Sequence, residues 1–345
     1  MKLIPHNKPT FGKSELTNVS KVIQSGNWSD GKITEKLEKR LQQRFNVKHA
    51  VAVSNGLSAL RLALLALNVS VGSKVIVPAY CCVAIPNAVK SVGAVPIPVD
   101  CRKNDFNINT NLLISKDISA IIVVNTFGTP ANIQQLKKHK IPIIEDASHG
   151  FYINSDGSTC ELKSDLMVLS FYTTKLIGCG EGGCVLTNNK NYSDFVKYNK
   201  NYVDKPSSSI RLNDKLSNIH SAIAIAQIDR LKAVIKRREY LSSLYYKRLY
   251  NSENIILQTS ISNRIHYRFI IQIRNEPYNK IKKFLDKKGI IVEAPVANWI
   301  TDIKKFKVSN SLFKKNISLP LFSTLSIEQL EYVTKTIKLY ARYLA

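Results

Sequence analysis

The strongest constraint on this chain is an alternation, from about residue 50 to residue 187, of short apolar runs with stretches of helical periodicity. The apolar runs are rich in β-branched residues and are bounded by Gly, Pro, Asn or Asp, which is typical of strands buried on both faces. They read HAVAV, KVIVPAY, AVPIPVD, AIIVVN, IPIIED, LMVLSF and GGCVLT. Between them lie helix-like stretches such as LSALRLALLALNV. The alternation predicts an α/β fold with a mostly parallel, helix-covered sheet.

After about residue 215 the pattern changes. The stretch from Ser217 to Tyr250 contains no Pro or Gly and predicts one long helix or two in line. Beyond it we predict a strand in RFIIQI, a helix in PYNKIKKFLDKKG, a second strand in IIVEAPV and a C-terminal helix in SIEQLEYVTKTIKLYARYL. We therefore expect a large domain at residues 1–245 and a smaller α+β domain at residues 246–345.

Composition excludes several classes of protein. No segment has the roughly 20 consecutive apolar residues that a membrane span needs, and the N-terminal MKLIPHNKPTFGKSE lacks the apolar stretch of a signal peptide. We expect a cytoplasmic protein without a membrane partner. None of the cysteines forms a C-x-x-C pair, so we expect reduced, mostly buried thiols and no metal site. The cysteines are Cys81, Cys82, Cys101, Cys160, Cys179 and Cys184.

The net charge of +25 is the unusual property of the composition. Such an excess can indicate binding to nucleic acid, to a membrane surface or to a phosphorylated ligand. The basic residues are nevertheless scattered along a chain that is rich in Asn, Ile and Lys throughout. We therefore attribute the charge mainly to compositional bias and do not expect a nucleic-acid partner, whose binding would weaken steeply with added salt.

Polar residues at the carboxyl ends of the predicted strands are the candidates for a site, because ligands of open α/β sheets bind there. Three segments follow strands in this way: SNGLS (54–58), EDASHG (145–150) and SFYTTK (170–175). Each has an ordinary explanation by itself, such as a turn or a helix cap. Together they supply a helix N-terminus for a phosphate, a carboxylate for a heterocyclic nitrogen and a lysine for a Schiff base. These are the groups that pyridoxal 5′-phosphate (PLP) requires.

The order of the motifs NG-x-x-AL, VIVPAY, IIEDASHG, SFYTTK and GEGG resembles the DegT/DnrJ/StrS family of sugar aminotransferases. The segments SGNWSDGKITEKLEKRL and ISLPLFSTLSIEQLEYV extend the resemblance over nearly the whole chain. It implies the aspartate-aminotransferase fold (PLP fold type I) and PLP as the cofactor. Lys175 matches the lysine that forms the Schiff base and transfers protons, and Asp146 matches the carboxylate paired with the pyridinium nitrogen. His149 matches the position that reaches the ring hydroxyl.

The resemblance also implies a phosphate site and a dimer. Ser170 and the turn formed by Gly56, Leu57 and Ser58 match the groups that bind the cofactor phosphate. Asn213 matches an asparagine that reaches the phosphate in the partner subunit. We therefore expect a homodimer with shared active sites.

Several positions depart from the family pattern. Leu57 stands where a threonine is usual, Cys82 where an aromatic residue often lies over the cofactor ring, and Lys215 where arginine is common. Tyr80 is close to Cys82 in sequence and is expected on the same strand face, but not at the same place. The segment EAPVANWITDIKKF lacks a histidine that is common in members acting on nucleotide sugars. These differences leave the substrate open.

We interpret the chain as a PLP-dependent aminotransferase that moves an amino group from glutamate or glutamine to a keto-sugar, with a nucleotide-diphosphate-linked sugar as the expected substrate. One alternative is a PLP-dependent sugar dehydratase of the same family. Such members have histidine in place of the Schiff-base lysine, so Lys175 argues against it. The other alternative is a non-catalytic relative with a binding or regulatory role, which the residues at Leu57 and Cys82 keep open.

Overall fold

The structure, a computed structural model, describes residues 3–111, 117–151, 161–203, 211–258 and 264–343. Its largest feature is a sheet of seven described strands, one from each apolar run that predicted a strand. These strands are β1 (His49–Val53), β2 (Lys74–Pro78), β3 (Val95–Val99), β4 (Ile118–Val124), β5 (Ile143–Asp146), β6 (Leu166–Ser170) and β7 (Gly183–Thr187).

The strands of this sheet have the order β1-β7-β6-β5-β4-β2-β3. The pairs β2–β3, β2–β4, β4–β5 and β5–β6 are parallel, whereas β7 is antiparallel to both β1 and β6. The mostly parallel sheet is therefore confirmed, with β7 as the exception among the described strands. Because the other six point the same way, their carboxyl ends meet at one edge, where ligands of such sheets bind.

Helices cover both faces of the sheet. The α-helices of the described residues are α1 (Lys13–Ser25), α2 (Lys32–Phe45), α3 (Gly56–Ala66), α4 (Ala84–Ser91), α5 (Ile133–Lys137), α6 (Lys190–Asn199), α7 (Asn218–Asp229), α8 (Leu231–Leu249), α9 (Tyr278–Lys287), α10 (Lys307–Lys315) and α11 (Ile327–Arg342). Val51 and Val53 of β1 are buried in a core shared with α3, α4 and α6, whereas the alternate residues Ala50 and Ala52 pack in a second core with α2 and α7. Successive side chains of a strand point to opposite faces, so a strand between two helix layers must be apolar throughout.

The C-terminal part contains a small antiparallel sheet. Its strands are β8 (Ile255–Leu257), β9 (Phe269–Ile273) and β10 (Ile317–Leu319), in the order β10-β9-β8. The helix α8 runs without interruption through residue 245, and its Tyr245 and Leu249 pack with Phe269 in the core of this part. Ile4, from the start of the chain, belongs to the same core. The division between residues 245 and 246 stays a prediction.

The strand predicted in IIVEAPV is wrong, because its backbone hydrogen bonds are divided between two separate segments. Ile291 donates its N–H to the Ile4 carbonyl at 3.0 Å, whereas Glu293 exchanges two hydrogen bonds with Ser318. Only isolated bridges result within the described residues, and Pro295 has no N–H with which to extend them. The third strand of the small sheet is β10 instead.

Two expectations from composition can be compared with the structure. None of the described helices is both long enough and apolar enough to cross a membrane. Cys82 is exposed, and the other described cysteines are buried free thiols. Cys160 lies outside the described residues.

Glu145 on β5 is a buried carboxyl that makes the stability of the fold depend on pH. It is 1% exposed; Asn125 Nδ2 donates to its Oε1 at 2.7 Å and Ser164 Oγ to its Oε2 at 3.3 Å. Burial raises the pKa of Glu145 from 4.5 to about 7, so the folded state favours the protonated carboxyl. The stabilisation is complete below the unfolded pKa and is lost as the pH rises through about 7.

We therefore expect Glu145→Gln to remove this loss. The change that the substitution makes in the free energy of unfolding should be more stabilising at pH 8 than at pH 5, by at most about 3 kcal/mol. Urea unfolding of wild type and variant at both pH values measures it. Glu239→Gln, at an exposed site, is the control and should show no such difference. Equal effects of Glu145→Gln at the two pH values would contradict the prediction.

Candidate active site

The start of α3 and the end of β6 lie close together because β7 pairs both with β6 and with β1, the strand that leads into α3. Gly183 is the register partner of Val53 on one side and of Ser170 on the other. The chain that leaves β1 therefore enters α3 directly beside Ser170. The approach is so close that a Cβ atom on Gly56 would lie 2.9 Å from Ser170 Cβ and 3.1 Å from its Oγ.

This junction forms a cradle for a small anion. Asn55 caps α3 by accepting the Ser58 N–H at 2.8 Å. The N–H groups of Gly56 and Leu57 have no acceptor within the helix, since first-turn amides lack an i−4 carbonyl. With the Ser170 hydroxyl beside them, they provide donors at a helix N-terminus, which is a common phosphate-binding arrangement. The cradle fits the phosphate of PLP.

Ser58 and Leu57 differ in their surroundings. Leu57 is 42% exposed, whereas Ser58 is buried and donates its hydroxyl to Asp214 Oδ1 at 2.8 Å. Asp214 also accepts from Arg61 Nη2 at 2.7 Å. The Ser58 hydroxyl is thus engaged with Asp214 and does not replace the threonine hydroxyl that Leu57 lacks. Asp214 holds the neighbouring Asn213 beside this turn, and Asn213 itself is exposed.

Asp146 ends β5 with its side chain almost fully buried, at 7% exposure. Its Oδ1 accepts the Ser148 N–H at 2.9 Å, which fixes the carboxylate while its other oxygen stays available. Cys81 lies nearby: burial is the main cause that raises the pKa of its thiol, and the charges of Cys82 and Asp146 add to it. The segment after β2 and the end of β5 therefore lie close together.

The residues after β2 face different surroundings. Because β2 ends at Pro78, strand alternation does not extend to Tyr80 and Cys82, and the expectation that they share a strand face is wrong. Tyr80 is fully buried and accepts a hydrogen bond from Asn316 Nδ2 at 2.9 Å, whereas Cys82 is exposed. Trp299 from the C-terminal part packs against the core cluster that contains Cys81. No motif marked this aromatic residue, because its position depends on the packing of distant segments.

Lys175 lies half-buried in a tight loop between β6 and β7. Its N–H donates to the Tyr172 carbonyl at 2.8 Å. The loop closes through the GEGG segment, in which Gly180 has φ +97° and Gly182 has φ +151°, conformations that favour glycine. The Lys175 Nζ lies 5.2 Å from the centre of the Tyr267 ring.

His149 is 7% exposed and lies between two aromatic rings. Tyr267 stacks on it at 4.5 Å and 13°, and Phe127 at 5.8 Å and 21°. Burial, followed by the charges of Lys175 and Arg268, holds the pKa of His149 well below its ordinary value, so the imidazole is neutral at pH 7. Its Nδ1 accepts the Phe127 N–H at 3.5 Å. The proton then resides on Nε2, which can donate to an anionic oxygen.

The structure thus places the predicted residues of the segments 54–58, 145–150 and 170–175 at one edge of the sheet, with Cys82 beside them. Their donors, carboxylate and lysine fit PLP, while the role of each residue stays a prediction. No sequence motif indicated Tyr267 or Trp299 as residues of the site. The available signal for Tyr267 was an aromatic residue within the basic-aromatic run HYR (266–268).

Replacing Gly56 with alanine tests the cradle. The added methyl group would crowd Ser170, and overpacking of this kind costs about 1–3 kcal/mol. We expect PLP to bind at least about tenfold more weakly, measured by titrating the protein with PLP and following absorbance. Gly12→Ala is the control, because the nearest side-chain atoms there would lie 3.6 Å from the new Cβ. An unchanged affinity in Gly56→Ala would show that the phosphate binds elsewhere.

Comparisons of sequence give a consistent result. The model of the DegT/DnrJ/EryC1/StrS aminotransferase family matches residues 9–338. A GDP-perosamine synthase of Escherichia coli O157:H7 is 29% identical, over 98% of this chain and 98% of the relative. A GDP-perosamine synthase of Vibrio cholerae is 26% identical, over 98% of this chain and 99% of the relative.

Comparisons of structure confirm the fold. The PLP form of the Streptococcus pneumoniae sugar aminotransferase Spr1654 superimposes with a TM-score of 0.92 at 22% identity, over 99% of this chain and 100% of that one. The aminotransferase TlmJ of Streptoalloteichus hindustanus gives a TM-score of 0.93 at 19% identity, also over 99% and 100%. The α/β architecture expected from the sequence is that of these aminotransferases.

Proposed function

Because this chain belongs to the DegT/DnrJ/EryC1/StrS aminotransferase family, we propose that it is a PLP-dependent enzyme that transfers the amino group of glutamate or glutamine to a keto-sugar. The observation that carries the proposal is the meeting of Lys175, Asp146 and the cradle of Gly56 and Ser170 at one edge of the sheet. The GDP-perosamine synthases among its relatives support a sugar linked to a nucleoside diphosphate. The net charge of +25 would favour such an anionic substrate.

Each residue of the site has a separate role in the proposed reaction. PLP, when bound, supplies the electron sink for reactions at the amino acid's α-carbon. The α3 amides and the Ser170 hydroxyl bind its phosphate, and Asp146 holds a proton on the pyridine nitrogen. Neutral His149 donates Nε2–H to the ring oxygen. Lys175 Nζ moves a proton from the donor's α-carbon, a role that contributes about 10²–10⁴-fold to the rate.

The sugar dehydratase is not favoured. Members of that kind have a histidine where this chain has Lys175, and the curated relatives described above are aminating enzymes by name. A non-catalytic role is disfavoured by the completeness of the site: the departures at Leu57 and Cys82 leave the lysine, the carboxylate and the cradle in place.

The experiment that tests the proposal is the visible absorption spectrum of the protein with PLP, before and after adding glutamate. We expect a yellow band that fades with glutamate and returns with a keto-sugar acceptor. A band that responds to glutamine but not to glutamate would assign glutamine as the donor. The absence of any band would overturn the proposal.

We also propose a homodimer in the cytoplasm, with Asn213 reaching the phosphate in the partner's site. The support for this arrangement is that the Asn213 side chain is exposed, as a contact with a partner subunit requires. Mixing Lys175→Ala and Asn213→Ala subunits should restore about one quarter of wild-type activity, because random pairing makes half of the dimers mixed and each then has one complete site. Activity of the mixture is compared with each parent.

The control for this mixture pairs Lys175→Ala with Asp146→Ala subunits. Lys175 and Asp146 lie at the carboxyl ends of neighbouring strands of one chain and would serve the same site. Each site of a mixed dimer therefore lacks one of them, and activity should stay absent. Equal activity of both mixtures would argue against the sharing of Asn213.

A further inference from the structure

Tyr267 lies at the centre of the site, yet none of the roles above involves it. It is 3% exposed, and its ring stacks on His149 at 4.5 Å. Its hydroxyl lies 3.5 Å from Thr174 Oγ1, and Lys175 Nζ lies 5.2 Å from its ring centre. One side chain thus contacts the imidazole that faces the cofactor and the loop that bears the reactive lysine.

The backbone around Tyr267 is held tightly. Ile265 donates its N–H to the Gly128 carbonyl at 3.0 Å, and a Cβ on Gly128 would lie 1.7 Å from the Ile265 carbonyl oxygen. Arg238 Nη1 donates to the carbonyls of Tyr267 at 3.0 Å and of Leu321 at 3.2 Å. These contacts dock the segment before β9 against the end of β4. The position of the Tyr267 ring therefore depends on both parts of the molecule.

The charges around Tyr267 are all positive. The guanidinium carbons of Arg268 and Arg238 lie 5.4 Å and 6.0 Å from its ring centre, in addition to Lys175. His149 is neutral, and so is His6, which accepts a hydrogen bond from Arg268 Nη1 and whose pKa burial and Arg268 lower to about 3. Within the described ranges, Lys175, Arg238 and Arg268 form no ion pair with a carboxylate.

This arrangement changes the acidity of the phenol. Burial alone would raise the pKa of Tyr267, but Lys175 and Arg268, with smaller contributions from Thr174 and Arg238, bring it to about 8. A phenolate at this place would lie among three cations that pair with no carboxylate of the described residues, so its formation is favoured. The geometry by itself already gives the ring a contact with His149 and Lys175.

We propose that Tyr267 is a positioning residue of the aminotransferase site, whose ring fixes the imidazole of His149 and whose hydroxyl, when ionised, is the counter-charge of Lys175. The inference rests on the proposed function for its role towards PLP. The two parts are separable, because Tyr267→Phe keeps the stacked ring and loses the hydroxyl, whereas Tyr267→Leu loses both.

The first test uses the protein without PLP. Tyrosinate absorbs in the near ultraviolet, and ordinary tyrosines ionise near pH 10. We expect the wild type to show an early step, about one tyrosine in size and centred near pH 8, that is missing in Tyr267→Phe and moves to higher pH in Lys175→Ala. Identical titrations of wild type and Tyr267→Phe below pH 9 would overturn the counter-charge.

The second test uses the protein with bound PLP. The midpoint of the pH titration of the visible band should shift in Tyr267→Phe with PLP affinity nearly unchanged, and Tyr267→Leu should also bind PLP about tenfold more weakly. Tyr245→Phe is the control, because this buried tyrosine donates its hydroxyl to the Pro320 carbonyl at 2.8 Å and packs in the core of the C-terminal part; it should leave the midpoint unchanged. A midpoint that is the same in wild type, Tyr267→Phe and Tyr267→Leu overturns the inference.

These measurements distinguish a failure of the proposed function from a failure of the inference about Tyr267. If the protein binds no PLP, the proposed function fails, while the titration of the apoprotein still decides whether Tyr267 and Lys175 are coupled. If Tyr267→Leu does not fold, as judged by circular dichroism, Tyr267→Phe still decides the counter-charge through the two titrations. Tyr267→Met, which also lacks an aromatic ring, then replaces Tyr267→Leu in the test of the stacked ring.

Discussion

Replacing Lys175 with alanine is expected to abolish transamination, with a loss in kcat of at least about 10⁴-fold, because both the covalent link to PLP and the proton transfer depend on its Nζ. The protein should still fold, because the Lys175 side chain is only half-buried. Substitutions of exposed side chains change the free energy of unfolding by about 0.5 kcal/mol. PLP should still bind through the α3 cradle, without the absorption band of the Schiff base with Lys175. Single-turnover spectra with glutamate, together with steady-state rates, measure the effect.

Lys190→Ala is the matched control for this substitution. Lys190 is an exposed lysine paired with Asp194 at the start of α6. Because α6 follows the antiparallel strand β7, this lysine lies at the opposite edge of the sheet. It should retain wild-type activity. Turnover by Lys175→Ala above about one hundredth of the wild-type rate would assign the proton transfer to another group.

Replacing Asp146 with asparagine should lower kcat by about 10²–10³-fold, comparable to the loss of one strong electrostatic contact to a developing charge. The amide keeps the shape of the side chain and can still accept the Ser148 N–H at Oδ1, so the fold is preserved. It carries no negative charge to hold the pyridine nitrogen protonated. Rates and PLP affinity measured on the same preparation separate the chemical effect from loss of cofactor.

The control for Asp146→Asn is the neighbouring Glu145→Gln. Glu145 is equally buried on the same strand but bonds Asn125 and Ser164 on the other side of the sheet. Its amide variant should keep near-normal rates. Near-normal kinetics of Asp146→Asn would show that a different group protonates the ring.

Local sequence patterns were sufficient to predict the large sheet and the convergence of three polar segments at one of its edges. Short β-branched apolar runs bounded by turn residues are typical of strands between helix layers, and parallel strands bring their carboxyl ends to one edge. The segments 54–58, 145–150 and 170–175 therefore had to converge once the strands were recognised. The C-terminal part was less predictable: IIVEAPV has the pattern of a strand, but its hydrogen bonds are divided between Ile4 and Ser318.

What the sequence by itself determined is thus the order along the chain of the strands of the large sheet and the identity of the groups at their ends. Only the tertiary structure decided which face each group presents and what it touches. Ser58 turned out to bond Asp214, and Tyr267 to stack on His149 beside Lys175. Such contacts join residues far apart in the chain, and they depend on how the cores pack. Periodicity records only the local conformation of each segment.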